Sequence, residues 1–128
     1  IGYSNVHYCG GRFFQYAKAG PIGYFIRTIR KANLNVITAE WVGWGHRTDV
    51  TKAIRSRTIL AGTDPIALDY YGAKYLVYPL SKEEYHNTDD PKSPVRRFLD
   101  LAMKTLGDGT LDEQRMRIHQ YDFKLEST

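Results

Sequence analysis

The sequence predicts an α/β fold in which a small mixed or parallel sheet is flanked by helices. Three observations carry this reading. Two short apolar runs rich in β-formers, residues 34–39 (LNVITA) and 57–61 (RTILA), have the pattern of buried strands. Helical periodicity appears once before the first of these strands and twice after the second, ahead of a last strand-like stretch. The helices also open on proline, at Pro21, Pro65 and Pro94, where the missing N–H removes no helical bond. Helices interleaved with buried strands argue for sheet and helix layers around a shared core.

In chain order, residues 1–20 are dense in glycine and aromatics, with a strand expected around 5–8. A helix is expected from Gly20-Pro21, with Ile22, Phe25, Ile26 and Ile29 on one stripe and Arg27, Arg30 and Lys31 outside it. Asn33 tolerates the left-handed conformation that ends a helix. The 34–39 strand follows, and its exit, EWVGWGH over 40–46, combines two glycines with two tryptophans. The second strand runs straight into Gly62-Thr63-Asp64-Pro65, a helix start with Asp64 as cap. Ile66, Tyr70, Ala73 and Val77 mark the inner face of that helix, which should end before Pro79. Residues 81–93 are polar and read as loop or short turn. Ser93-Pro94 opens an amphipathic helix with Val95, Phe98, Leu99, Ala102 and Leu106 on one face and Gly107 as its stop. Residues 116–123 (MRIHQYDF) read as a late, edge-type strand. With so few strands the sheet is thin, so residues 1–128 are expected to be a single domain or the C-terminal segment of a longer α/β domain.

Composition narrows the function classes. The 18 Lys and Arg against 14 Asp and Glu leave a formal charge of +4. The basic residues are interspersed with acids rather than gathered on one face, which argues against a nucleic-acid partner. No run approaches the ~20 apolar residues of a membrane span, and no compartment is assigned. Cys9 is the one cysteine, so this chain alone makes neither an internal disulfide nor a cysteine-ligated cluster. Ten tyrosines and five phenylalanines suggest half-buried positions or a surface facing the rest of the protein's own chain or another subunit.

Candidate site residues cluster after the strands. Asp64 is most simply a structural cap, since Asp-Pro is common at a helix start, and it also lies at a strand end, where open α/β sheets gather ligands. Asp69 lies five residues further along the helix, about 140° around from Asp64, so the two cannot form a tight carboxylate pair. His46, on the glycine loop, is the general-base candidate because histidine titrates near neutrality. Thr63 and the helix start beside it suit an anion. Glu40, Trp41 and Trp44 are candidates for ligand contact. His7 and Cys9, two residues apart, would share one face of a strand and supply two ligands of a soft-metal site.

The stretch ILAGTDPIALD over 59–69 resembles the domain-of-unknown-function 362 family. That family shows a strand, a small residue, Ser or Thr, Asp-Pro, and a further Asp opening a helix. The 34–39 strand with its glycine-bearing exit and the 101–107 stretch resemble further parts of the family's C-terminal portion. The family's upstream strand usually ends in Asp, whereas Ala39, Glu40 and the tryptophans stand here. The resemblance implies an enzyme-type domain, part of an iron–sulfur-associated redox protein, with any cluster held outside this chain. A fold-level likeness to nickel-dependent lactate racemases implies metal-dependent chemistry as an alternative. A third expectation is a non-catalytic module that docks another subunit through aromatic surfaces. The cofactor is left unassigned.

Overall fold

The structure, a computed structural model, describes residues 12–44 and 49–123. Helix α1 spans Arg12–Thr28, strand β1 Asn35–Gly43, strand β2 Ala53–Gly62, helix α2 Pro65–Gly72, the short helix α3 Tyr78–Ser81 and helix α4 Pro94–Leu106. The mixed helix-and-strand class predicted from the sequence holds. The described strands form one two-stranded sheet, and they run antiparallel.

The main core lies between helices. Ala19 of α1, Ile66 and Tyr70 of α2, and Phe98, Leu99, Ala102 and Leu106 of α4 are buried together with Leu111. All four α4 residues belong to the apolar face expected from the sequence. That helix also starts and stops as expected. Ser93 accepts a hydrogen bond from the Arg96 N–H at 3.1 Å, and Gly107 closes the helix at φ +73°, a conformation favoured by glycine.

Helix α1 departs from expectation. It begins at Arg12 and carries Pro21 inside it, and Phe25 and Ile29 of the expected stripe are exposed. The contact with α4 is made instead by small residues one turn apart. Ala19 is fully buried, and a Cβ at Gly23 would stand 2.5 Å from the Ala102 carbonyl oxygen. Ile22 and Ile26 pack beside this close approach. Backbones that touch leave no room for large side chains between them, so of the expected stripe Ile22 and Ile26 pack inward while Phe25 and Ile29 do not.

Pro79 does not end the second helical region. After α2 the chain makes a π-helical turn over Ala73–Val77, in which the Tyr78 N–H reaches the Ala73 carbonyl, and Pro79 then falls in the first turn of α3. A wider turn of this kind accommodates an extra residue within a helix. Lys82, at φ 52°, caps α3 in the left-handed region.

The hairpin rests its inner face on this helical layer. Ile37 and Leu60 are paired across the strands, and both approach the buried Gly72, where a Cβ would lie 3.3 Å from Leu60 Cδ1. Residues 116–123 form no strand: they continue from the core as irregular chain with no ladder partner among the described residues.

Candidate functional site

Asp64 is the leading catalytic candidate, and its carboxylate accepts three backbone hydrogen bonds. One oxygen accepts from the N–H groups of Ile66 at 2.9 Å and Ala67 at 3.1 Å, which caps α2. The other accepts from the Thr110 N–H at 2.9 Å. The loop reaches it because Gly109, at φ +105°, brings its backbone against Ile66 and Asp64, where a Cβ would lie 2.9 and 3.0 Å away. Three backbone donors give this carboxylate a structural task, as cap of α2 and clasp of the loop after α4. Asp69 lies half-buried in α2, and Thr63 is exposed just before the cap.

The candidate residues after the two strands, over 40–46 and 63–69, are not brought together among the described residues. Gly62, which leads to Thr63, pairs with Asn35, whereas Gly43 pairs with Ala53 at the other end of the hairpin. Eight steps of strand separate the two ends by roughly 27 Å. Parallel neighbours would have brought both exits to one rim; antiparallel pairing sends them to opposite ends. The exit itself is shorter than expected, since Glu40, Trp41 and Gly43 belong to β1. His46, His7 and Cys9 lie outside the described residues. No group of three or more His, Cys, Asp or Glu suited to a metal occurs among the described residues.

Glu40 marks an irregularity in the ladder. Between the Ala39–Thr58 and Trp41–Arg55 pairs, β1 has Glu40 alone while β2 has Ser56 and Arg57. Arg57 takes φ 53°, and the extra residue is a β-bulge. The bulge changes the phase of the strand: Ala39 and Val42, three apart, are both buried, and Trp41 faces outward. Glu40 accepts from Arg55 Nε at 2.6 Å. Trp44 is half-buried; its N–H donates to the Lys52 carbonyl at 3.1 Å, and its carbonyl accepts from the Tyr85 hydroxyl at 3.4 Å.

The densest polar cluster was not anticipated. Lys74 Nζ lies 2.9 Å from Asp89 and 2.7 Å from Glu113, and it donates to the Tyr70 hydroxyl at 3.3 Å. Tyr70 in turn donates to Asp89 at 2.7 Å, and Tyr75 donates to Glu113 at 2.9 Å. Burial and the bond to Asp89 push the Tyr70 phenol up. Burial alone would lower Lys74, but hydrogen bonds with Glu113, Asp89 and Tyr70 outweigh it and raise the ammonium above its ordinary range. The Lys74 ammonium holds the Asp89 and Glu113 carboxyls below theirs. A base or nucleophile working near neutrality needs the opposite displacement in lysine or tyrosine. The cluster is an electrostatic tie that fastens the helical layer to two loops. The four-residue spacing of Tyr70 and Lys74 on one helix was visible in the sequence; the arrival of Asp89 and Glu113 was not.

An open depression of about 220 Å³ lies between Ile54, Arg55 and Ser56 of β2 and Tyr75, Leu76, Pro79 and Leu80 of the helical layer. It is smaller than the roughly 300–1,000 Å³ of small-molecule pockets. The polar groups around it are already engaged: Arg55 with Glu40, Ser56 with Thr58, and Tyr75 with Glu113. No polar set converges on it.

No family model matches the chain, and no match was found among curated proteins or solved structures. The residues that carry the family resemblance, from Ile59 to Asp69, have structural tasks here in strand, cap and helix.

What the geometry does leave open is the hairpin itself. The outer edge of β1 has no strand partner among the described residues, and the outer face carries Val36, Trp41 and Ile59 exposed to solvent. No helix among the described residues is long and apolar enough to cross a membrane.

Proposed function

We propose that this chain is a non-catalytic assembly module that receives an extended strand of a partner polypeptide on the open edge of β1. The observation that carries the reading is the contrast between the two edges of the hairpin. β1 runs nine residues, NVITAEWVG, with no proline, lysine or arginine and with Glu40 as its one charge. β2 carries Arg55 and Arg57 and is bent by the bulge at Ser56 and Arg57. Charges and bulges are devices that blunt an edge against further pairing, and they are concentrated on β2.

The outer face supports the same reading. Val36, Trp41 and Ile59 are 54%, 63% and 71% exposed. Val36 pairs with Ala61 and Ile59 with Thr38, so Val36 and Ile59 are diagonal neighbours on one face. An isolated two-stranded sheet is marginal, and a third strand with a covered apolar face adds stability. Strand addition obtains affinity from main-chain hydrogen bonds and specificity from alternate side chains. The expectation that these residues belong to a larger α/β domain fits the same edge. The iron–sulfur-associated and racemase-like readings rest on resemblance alone, with no separate observation behind them.

The test is amide hydrogen exchange on the natural full-length protein. Slow exchange at the outward-pointing amides of β1, lost in a Val36→Lys, Ile59→Lys variant that stays folded, is the expected result. Fast exchange at those amides in the assembled protein would overturn the proposal.

A further inference from the structure

We infer that the strand received by β1 is residues 116–123 of a second copy of this chain, exchanged reciprocally to give a two-fold dimer. This inference rests on the edge-acceptor reading above and names the donor. Met116 is packed against the core and anchors the segment. Beyond it the chain runs outside helix and ladder, with Ile118, Tyr121 and Phe123 exposed by 47%, 75% and 90%. These three large apolar side chains on a short anchored stretch are left exposed by the described residues of a single copy. β-branched and aromatic residues such as these suit a pleated surface.

The areas agree with a stable pair. Tyr121 and Phe123 lie two apart and share one face of an extended strand, and each buried aromatic removes roughly 150–250 Å² from water, so two arms bury roughly 600–1,000 Å² on the donor side. The acceptor faces, which include Val36 and Trp41, bury a comparable amount. The sum reaches the roughly 1,200–2,000 Å² typical of specific interfaces. Reciprocal exchange also closes the assembly. Each copy uses its one unblunted edge and its one arm, so pairing stops at two rather than growing into a filament.

The experiment uses the full chain in sedimentation across a wide concentration series, together with amide exchange. A mass of twice 14.7 kDa and protected outward amides on β1 are expected. Tyr121→Pro removes one backbone donor from the arm at an exposed position; it should return the mass to that of a single chain while circular dichroism stays unchanged. Tyr121→Phe, which keeps both the N–H and the ring, should remain dimeric. A dimer that survives Tyr121→Pro overturns the arm as donor. A monomer whose β1 amides are nonetheless protected also overturns this inference and leaves the edge-acceptor reading standing. A monomer with fast-exchanging β1 amides overturns this inference, and fast exchange that persists in the assembled natural protein overturns the edge-acceptor reading as well.

Discussion

The carboxylate of Asp64 accepts a hydrogen bond from the Thr110 N–H at 2.9 Å, across 46 residues of chain. The same side chain caps α2 through Ile66 and Ala67, so one aspartate joins the strand-to-helix turn to the loop that follows α4. Replacing it separates the two tasks. Asp64→Asn keeps an oxygen for the cap but turns an amide N–H toward the Thr110 N–H, and should destabilise by about 1–2 kcal/mol. Asp64→Ala loses the cap as well and should destabilise by about 2–4 kcal/mol. Urea unfolding measures both, and faster amide exchange at Thr110 in each variant identifies the lost bond.

Gly23 and Ala102 set how closely α1 approaches α4. A Cβ at position 23 would stand 2.1 Å from Thr105 Oγ1, 2.5 Å from the Ala102 carbonyl oxygen and 2.9 Å from the Leu106 nitrogen. Two of those atoms are backbone and cannot turn aside. Gly23→Ala should therefore destabilise by about 1–3 kcal/mol, even though alanine is the better helix former by about 1 kcal/mol. A thermal midpoint equal to or above that of the parent would contradict this packing.

The ion cluster at Lys74 predicts an acid-sensitive fold. Asp89 and Glu113 have folded-state values below the 3.8 and 4.5 of free carboxyls. Their contribution is present above those values and is lost as pH falls through the lower, folded ones. Lys74 is shifted upward from 10.5, so its contribution is present below that value and fades as pH rises beyond it. Stability from this cluster should be level near neutrality and decline on both flanks. Asp89 is mostly exposed, so solvent screening tempers its share. In Lys74→Met the loss of denaturation midpoint between pH 7 and about pH 2 should be smaller than in the parent.

Arg57 occupies the left-handed region at φ 53° within the bulge, where a Cβ is disfavoured by roughly 1–2 kcal/mol. Arg57→Gly removes that strain but adds freedom to the unfolded chain, and should stabilise by up to about 1 kcal/mol. Equilibrium unfolding reads the sign directly. The same substitution removes a charge from the β2 edge, so sedimentation would also show whether that edge becomes adhesive.

Much of the local structure was legible from residue type. Asp64-Pro65 and Ser93-Pro94 were readable as helix starts, Gly107 as a stop, and the inner face of α4 as a stripe, because caps and periodicity depend on neighbours within one or two turns. The strands were readable as strands for the same reason. Residues 116–123 resemble a strand in pattern but have no ladder, since a strand exists only where a second chain segment meets its hydrogen-bonding groups.

The sequence by itself determined where α2 and α4 begin, which residues of α4 turn inward, and that Asp64 would stand at a strand-to-helix turn. Only the tertiary structure decided that β1 and β2 run antiparallel, that α1 approaches α4 through Gly23, and that Asp89 and Glu113 converge on Lys74. Caps, stops and stripes are set by bonds within a few residues, and composition records those. Strand direction, backbone proximity and charge clusters are set by which distant segments share space, and that follows from packing the whole chain at once.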